Sequence, residues 1–485
     1  MSELERLARA TLLPGFEGST APDWVLSELD AGLGGVTLFA INGNVPDTES
    51  LSALTEQLRS VSVPVITIDE EGGDVTRLAH LTGSPYPGNA ALGAVDDVEL
   101  TANVYRSMGA ELAQVGVTLN FAPTVDVNTA DDNPIIGTRS FGADPELVGR
   151  HAAAAVTGLQ SSGIAACAKH FPGHGATVAD SHLELPTVDA DLDLLDRREL
   201  VPFKAAIAVG TKAVMIAHLN VPAVTGGEPA TLSRAAITGL LRDKLGYDGV
   251  IVTDALDMRG ASGVIGIPEA AVRALIAGAD LLCLGPREHA ESVAATAAAI
   301  VRAVEDGRLP MERLAQAAAR VADMQSWVAE PSVSTVDWST GLAVARRALL
   351  VAGVDGVQGL GTPLVVELEA PGNIAVGPVP WGLGPWVPDD DVLRVDAGAA
   401  KVADTVAEIL AKAGERPLVV VVRDAHRHPE QRELAAALAA ARPDTTVVEM
   451  GLPIWRPDNV RYIASYGATR ANGRAVAERL GLIAG

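Results

Sequence analysis

Residues 249–255 read GVIVTDA, a run of apolar and β-branched residues that ends in polar ones. Seven other short apolar runs precede residue 326, and helical patterns such as ESLSALTEQLRSV separate them. These runs are ATLLPG (10–15), GVTLFAI (35–41), VPVITID (63–69), VTLNFAP (117–123), IAACAKH (164–170), AVMIAHL (213–219) and ADLLCLG (279–285). Because the runs are continuous rather than alternating, they predict parallel strands covered on both faces.

Eight repetitions of strand and helix predict an α/β fold, with a (β/α)₈ TIM-type barrel over residues 1–326. A doubly wound open sheet is the alternative, but no GxGxxG motif follows an early strand, which weakens its dinucleotide-binding form. The tract WVAEPSVSTVDWSTG breaks the rhythm and predicts a linker at 327–341. The runs LLVAG, PLVVELEAPG, PLVVVVRDAH and TTVVEMG then predict a second, smaller α/β domain over 342–485.

The bulk composition narrows the classes of function. The 37 basic and 61 acidic residues of this 485-residue chain give a formal charge of −24, which repels phosphate backbones and argues against nucleic acid as a partner. Both cysteines, Cys167 and Cys283, lie in apolar runs, which predicts buried reduced thiols rather than a disulfide or a metal site.

The N-terminal segment MSELERLARATLLPG lacks the apolar core of a signal peptide. No uninterrupted apolar run approaches the length needed to span a membrane. We therefore expect a cytoplasmic protein without a membrane partner, although an unconventional export route stays open.

Polar side chains stand where the predicted strands stop. In a barrel these carboxyl-terminal strand ends open on one face, where active sites lie. The residues concerned are Asp69, Asp126, Lys169, His170, His218 and Asp254. So many charged or ionisable groups at one end of successive strands favour a functional site over incidental capping.

The segment KHFPGHGATVADSH (169–182) concentrates ionisable residues after one strand. Within a loop, the spacing of Asp180 and His182 lets the carboxylate bind one ring nitrogen, fix the tautomer and raise the basicity of the imidazole. Such a histidine can both give and take a proton. A metal site of His170, His174 and His182 is less favoured because Lys169 would repel a cation, and a purely structural loop is the third alternative. We expect neither a metal nor a cofactor.

Asp254 follows a dry strand, which places its carboxylate rigidly, as a nucleophile requires. On the local pattern alone, an N-cap on a following helix is equally supported, and Asp257 is a competing carboxylate. Arg77 in DEEGGDVTRL (69–78) and Arg139 in NPIIGTRSFGADP (133–145) suit hydrogen bonding to sugar hydroxyls and an amide carbonyl. Ordinary ion pairing explains these arginines equally well.

At this point the segments resemble a known family. KHFPGHGATVADSH resembles the KHFPGHGxTxxDSH signature of glycoside hydrolase family 3, in its β-N-acetylglucosaminidase branch, and DEEGGDVTRL resembles the DQEGGxVxRL of that branch. Four more blocks follow in the order of the family: LNFAPTVDV, NPIIGTRSFGADP, AVMIAHLNVPA and GVIVTDALDM. The resemblance covers roughly residues 10–325, and the C-terminal domain resembles the α/β sandwich of longer members.

The resemblance implies an exo-glycosidase that releases terminal β-linked N-acetylglucosamine with retention, for example from cell-wall fragments. It implies Asp254 as nucleophile and His182, paired with Asp180, as acid/base. The residues it implies for holding the sugar or lining its pocket are Asp69, Arg77, Arg139, Lys169, His170, His218 and Met258. Two residues depart from the family pattern, Glu70 in place of Gln and Asp74 in place of Arg or Lys, and both add negative charge.

Three alternatives stay open. A histidine acid/base does not repel an anion, so inorganic phosphate rather than water could accept the sugar, and the chain would then be a phosphorylase. A β-glucosidase of the same family is disfavoured because such relatives lack the DSH pattern. A non-catalytic sugar-binding barrel is disfavoured because Asp254 and the Asp180–His182 pair are intact. The sequence does not predict an oligomeric state.

Overall fold

The computed structural model describes residues 1–179, 185–263, 265–328, 334–353, 360–370, 372, 375–399 and 401–484. These residues form two compact units. The first unit comprises residues 1–71, 101–134 and 143–336, and the second comprises residues 72–100, 135–142 and 337–485. The predicted domain boundaries stay a prediction, and residues 329–333 of the predicted linker lie outside the described residues.

The described residues of the first unit form eight strands, and each strand overlaps one of the predicted apolar runs. They are β1 (Leu12–Pro14), β2 (Gly35–Thr37), β3 (Val65–Ile68), β4 (Leu119–Asn120), β5 (Ala165–Phe171), β6 (Ala213–Ile216), β7 (Val250–Thr253) and β8 (Leu282–Gly285). Strands β2 to β7 pair in parallel in chain order, and β1 pairs in parallel with β8. A parallel bridge between Val252 and Leu281 links β7 to the β8 side. The predicted α/β fold with a (β/α)₈ barrel is confirmed.

The described residues of the two units contain sixteen α-helices. They are α1 (Glu3–Ala10), α2 (Asp23–Asp30), α3 (Thr48–Arg59), α4 (Asn89–Val95), α5 (Val98–Gln114), α6 (Pro145–Gln160), α7 (Leu192–Arg197), α8 (Leu200–Ala208), α9 (Pro222–Thr225), α10 (Ile267–Ala277), α11 (Ala290–Glu305), α12 (Met311–Val328), α13 (Trp338–Ala348), α14 (Val402–Ala413), α15 (Pro429–Ala441) and α16 (Arg470–Leu480). A further helix of π type spans Ala235–Lys244.

The interior of the barrel is filled by side chains from seven of its strands. These buried residues are Leu13, Val65, Leu119, Cys167, Met215, Val252 and Cys283. Because these side chains fill it, the barrel interior is a packed core rather than a pore. Burying one Leu or Val side chain stabilises the fold by about 1.5–3 kcal/mol. Both cysteines are free and buried, as predicted.

Helix α12 covers the amino-terminal ends of the strands. Its residues Val321 and Met324 pack against the interior layer, and the Gln325 side chain donates to the Gly34 carbonyl at 3.0 Å, just before β2. Because this end is covered, the polar residues at the carboxyl ends of the strands lie on the face that remains for a site.

The second unit is built around one six-stranded sheet with the strand order β11-β10-β12-β13-β14-β9. The strands are β9 (Leu350–Ala352), β10 (Leu364–Leu368), β11 (Val392–Val395), β12 (Leu418–Val422), β13 (Thr446–Glu449) and β14 (Arg461–Ala464). All pair in parallel except β9, which pairs antiparallel with β14. The sequence runs predicted β9, β10, β12 and β13, whereas β11 and β14 were not foreseen.

Both faces of this sheet are buried. Val366 and Val420 face one core cluster, which also contains Leu434 of α15, whereas Val365 and Val419 face another, which contains Val476 of α16. The unit is therefore a layered α/β sandwich, as the resemblance implied. Within the described residues of both units, no helix is long and apolar enough to cross a membrane.

Candidate active site

Asp254 stands directly after β7, whose four residues are all buried. Its backbone N–H donates to the Ile216 carbonyl at 3.0 Å, and its Oδ1 accepts from the Ala255 N–H at 2.8 Å. The next described helix, α10, begins only at Ile267, and none of the described residues between is helical. The helix-capping alternative is therefore not supported, and the strand delivers a half-buried carboxylate at a fixed position.

The two other candidates of this segment differ in exposure. Asp257, the competing carboxylate, is exposed and lies against Gly285 of β8, where a Cβ atom on the glycine would come within 2.5 Å of the Asp257 Oδ1. Met258 is buried, with 8% of its surface exposed, and its N–H donates to the Ala255 carbonyl at 3.1 Å. Met258 thus belongs to the turn that follows Asp254, and its place in the sugar pocket stays a prediction.

Lys169 near the end of β5 is the most deeply buried cation of the site, with 2% of its side chain exposed. Its Nζ lies 2.7 Å from the Asp69 Oδ1 and 2.7 Å from the Glu71 Oε1. A buried ammonium group would be costly without such partners. The paired carboxylates therefore offset the cost of burying the ammonium group and hold its Nζ at one position beside Asp69, which is itself about a quarter exposed.

The carboxylates at the strand ends act electrostatically on the two buried thiols. Burial raises the pKa of Cys167 and of Cys283, and the negative charges of Asp254 and Asp69 raise the pKa of both thiols further. Lys169 acts in the opposite direction on the pKa of Cys167. Asp254 and Asp69 directly follow β7 and β3, and Lys169 lies near the end of β5, so all three stand at the same end of the barrel.

Asp126 anchors the end of β5 and the turn that follows it. Its carboxylate accepts hydrogen bonds from His170 Nδ1 at 2.7 Å and from the backbone N–H groups of His170 and His174 at 3.2 Å and 2.6 Å. Burial opposes ionisation of Asp126, but these two histidines outweigh it, and the pKa of the carboxyl lies below its ordinary value. Because a carboxylate only accepts, the bond places a proton on His170 Nδ1 and fixes the plane of the ring.

The rest of the described loop is held by local bonds. His174 Nδ1 lies 2.8 Å from the Thr177 Oγ1, and the Asn133 side chain donates to the His174 carbonyl at 2.9 Å. The predicted acid/base pair, Asp180 and His182, lies outside the described residues, so its assignment stays a prediction.

His218 is fully buried at the end of β6 and is engaged at both ring nitrogens. Nδ1 lies 2.7 Å from the Thr231 Oγ1, and Nε2 lies 2.9 Å from the Ala255 carbonyl oxygen. A carbonyl only accepts, so Nε2 carries a proton and ties the ring to the residue after Asp254. His218 supports the backbone of the proposed nucleophile, and its contact with a sugar stays a prediction.

Arg77 and Arg139 belong to the second unit. The guanidinium of Arg77 donates to the carbonyl oxygens of Ala375 and Val376 at 2.9 Å and 3.4 Å. Arg139 is buried and donates to the Ile135 carbonyl at 3.0 Å. Both side chains are fixed by backbone acceptors, and their predicted role in sugar binding stays a prediction.

Of the three histidines in the predicted metal-site alternative, His170 and His174 are among the described residues, and His182 is not. The rings of His170 and His174 lie edge to face with centroids 6.0 Å apart, and both Nδ1 atoms are engaged by Asp126 and Thr177. Among the described residues, no three His, Cys, Asp or Glu side chains are placed together as metal ligands would be.

Residues 20–324 match the family model described as the glycosyl hydrolase family 3 N terminal domain. The chain belongs to glycosyl hydrolase family 3. The resemblance to this family that the six sequence blocks carried is therefore confirmed.

Two bacterial proteins named as β-hexosaminidases resemble the chain in sequence. Beta-hexosaminidase A of Pseudoalteromonas piscicida is 36% identical over 344 residues, which covers 65% of this chain and 56% of that protein. The chain thus spans little more than half the length of that relative. Beta-hexosaminidase of Chromobacterium violaceum is 37% identical over 329 residues, which covers 65% of this chain and 87% of the relative.

A solved family 3 structure matches both units of the chain. It is a β-N-acetylglucosaminidase from Paenibacillus sp. str. FPU-7, which is 34% identical, has a TM-score of 0.87, and covers 99% of this chain and 97% of its own.

Sequence reasoning missed three carboxyl groups of this family 3 site. Glu71 was seen as part of an acidic segment but not as the second partner of Lys169. Asp126 was seen as a residue at a strand end but not as the acceptor for His170 and His174. Glu199, which lies far along the sequence from the other two, carried no local signal at all. Only Glu71 and Asp126 lie in or near a sequence motif that indicates a functional role.

Proposed function

We propose that this family 3 chain is a retaining exo-β-N-acetylglucosaminidase, with Asp254 as nucleophile and His182, oriented by Asp180, as acid/base. The observation that carries the proposal is the position of Asp254 after β7, at the same end of the barrel as the Lys169–Asp69 pair. The names of its relatives, β-hexosaminidases and a β-N-acetylglucosaminidase, support N-acetylglucosamine as the sugar.

In the first step the Asp254 carboxylate attacks C1 of the sugar from the face opposite the leaving group. The C1–O bond to the leaving group breaks, and its oxygen takes a proton from His182. The product of this step is a glycosyl ester on Asp254. Water then attacks C1 and gives a proton to His182, while the bond between C1 and the Asp254 oxygen breaks and restores the carboxylate. The sugar leaves with its original configuration.

The buried network supplies the geometry that this chemistry needs. Asp69 accepts from Lys169 and still exposes about a quarter of its side chain, so its carboxylate can also accept hydrogen bonds from sugar hydroxyls. His170, held by Asp126, presents the other edge of its ring at a fixed orientation. Positioning of this kind lowers the entropic part of the barrier before the bond to Asp254 forms.

The test is to trap the intermediate. An activated fluorinated N-acetylglucosaminide that forms the ester quickly and hydrolyses slowly will label the chain once, and peptide mass spectrometry will place the label on Asp254. An Asp257→Asn variant is the matched control, because it removes an exposed carboxylate three residues away and should still be labelled. Labelling of any other residue, or none, contradicts the proposal.

Water is the proposed acceptor in the second step. Product analysis with and without inorganic phosphate will yield free N-acetylglucosamine in both cases, and a sugar 1-phosphate would instead make the chain a phosphorylase. Turnover of a nitrophenyl glucoside that rivals the N-acetylglucosaminide would favour a β-glucosidase. Residence in the cytoplasm and the lack of nucleic-acid and membrane partners stay predictions from the sequence.

A further inference from the structure

Glu199 is a buried carboxyl group that the proposed chemistry does not use. It directly precedes helix α8, and its side chain has no exposed surface. Oε1 accepts from the Arg198 Nε at 2.6 Å, whereas Oε2 is buried without a hydrogen-bond partner in the part of the chain that the structure describes. A buried carboxylate oxygen without a donor costs free energy, so this arrangement calls for a physical explanation.

The side chain of Glu199 fills the space beside Gly173, in the turn that follows Lys169 and His170. A Cβ atom on Gly173 would lie 2.7 Å from the Glu199 Oε2, and φ of the glycine is +127°. The Gly173 N–H donates to the His170 carbonyl at 2.8 Å, and the N–H of His174, the next residue, donates to Asp126. Glu199 therefore supports the backbone that links both histidines to Asp126.

Two buried carboxyl groups, Glu199 and Asp126, thus act on one turn, and their donors differ. Asp126 accepts from three N–H groups and stays ionised, whereas Glu199 has one guanidinium donor on one oxygen. Burial raises the pKa of Glu199 to about 7, Arg198 opposes that rise, and the charge of Asp126 adds to it. Of the two groups, Glu199 is the one that takes a proton near neutrality.

We propose that Glu199 is a positioning residue, whose neutral carboxyl supports the turn at Gly173 and keeps His170 and His174 on Asp126. Ionised Glu199 places a second buried negative charge next to Asp126 and disfavours this arrangement. The charged groups that act on Glu199 are Arg198 and Asp126. Since His170 is among the residues proposed to hold the sugar, this inference rests on the proposed function.

The test uses the full chain and an activated aryl N-acetylglucosaminide, whose leaving group needs no proton, so that titration of His182 as an acid drops out of kcat/KM. For the wild type we expect kcat/KM to fall at least about fivefold between pH 6 and pH 8.5, because Glu199 ionises in that interval. In Glu199→Gln, which is neutral at every pH, the ratio of the two values will be close to one. Glu312→Gln, an exposed glutamate on α12, is the matched control and will behave as wild type.

Arg198→Gln provides a second variant should Glu199→Gln fail to fold. Arg198 is about one-fifth exposed and favours the ionised form of Glu199, so its loss will move the fall in kcat/KM to higher pH by about one unit. A merely structural role of either residue would lower activity at all pH values and leave the profile unmoved. An unshifted profile in both variants overturns the inference, whereas a wild type that does not cleave the substrate overturns the proposed function instead.

Discussion

The Lys169 ammonium and the Asp69 carboxylate lie 2.7 Å apart although the two residues are separated by 100 positions in the sequence. The pair forms because β3 and β5 run parallel in one sheet and end on the same face of the barrel. Glu71 completes the arrangement with a second contact of 2.7 Å to the same nitrogen. One cation thus balances two carboxylates in a nearly dry environment.

Replacing Lys169 by Met will remove the charge while keeping the length of the side chain. The Asp69 and Glu71 carboxylates then lose their common partner, so we expect the free energy of unfolding to drop by about 3–5 kcal/mol. We also expect kcat/KM to fall by at least about a hundredfold, because the group that orients Asp69 is gone. Chemical unfolding and steady-state kinetics measure the two effects.

Lys204→Met is the matched control for Lys169. Lys204 also pairs with an aspartate, Asp196, but both side chains are more than two-fifths exposed. Solvent screens such a pair, so stability and activity will both stay near the wild-type values. If the two variants lost stability and activity to a similar extent, burial would not be the reason for the importance of the Lys169 pair.

The barrel was predictable from the sequence because each strand is buried on both faces and therefore reads as a continuous apolar run. The two strands that escaped prediction, Val392–Val395 and Arg461–Ala464, are four residues long, and each carries an arginine. None of the four residues of VLRV is fully buried, so this strand does not read as a continuous apolar run in the sequence. Their place is set by neighbouring strands of the sheet rather than by their own composition.

The site was predictable in its members but not in its bonds. Position at a strand end identified Asp254, Lys169 and Asp126, since that feature is local. The bond from His170 Nδ1 to Asp126 joins residues 44 positions apart, and such a pairing depends on the strand order and on the turn at Gly173. Glu199 contacts the site only at the turn of Gly173, and no sequence motif indicates that contact.

Asp254→Asn tests the nucleophile directly. The amide keeps the shape of the side chain but cannot form the glycosyl ester, so kcat will fall by at least about 10⁴-fold while the unfolding temperature stays close to that of the wild type. Asp257→Asn, the exposed neighbour, will retain most of the activity. If both variants lost activity to the same extent, Asp254 would lose its special role.

His182→Ala tests the proposed acid/base by way of the leaving group. Poor leaving groups need a proton as the glycosidic bond breaks, whereas activated aryl groups do not. The variant will therefore lose at least about a hundredfold more kcat/KM on an unactivated disaccharide than on a nitrophenyl substrate. Equal losses on both substrates would exclude His182 as the proton donor.

Asp280 lies before β8, at the end of the barrel opposite Asp254, and has no exposed surface. Its carboxylate binds the guanidinium groups of Arg242, Arg313 and Arg320. Asp280→Ala leaves three arginines without their common partner, and we expect a loss of about 3–5 kcal/mol in the free energy of unfolding.

Folded Asp280→Ala should nevertheless turn over substrate at nearly the wild-type rate, since the change is remote from the site. Asp196→Ala, which removes an exposed aspartate paired with Lys204 and Lys244, is the control and will change stability much less. A kcat that fell in parallel with stability would show that the two ends of the barrel are coupled.

Asp126→Asn gives a prediction about acid stability, and the sign follows from the direction of the pKa shift. The pKa of Asp126 lies below its ordinary value in the folded chain because His170 and His174 favour the ionised form. The carboxylate therefore contributes stability that is present above the unfolded pKa of 3.8 and is lost as the pH falls through the folded value.

Asp126→Asn will be less stable than the wild type by about 3 kcal/mol at pH 6, and the difference will shrink as the pH drops below about 4. Calorimetric unfolding at a series of pH values measures this, with Asp131→Asn, an exposed aspartate in the same loop, as the control. A stability difference that stays constant down to pH 3 would mean that the charge of Asp126 is not what holds the two histidines.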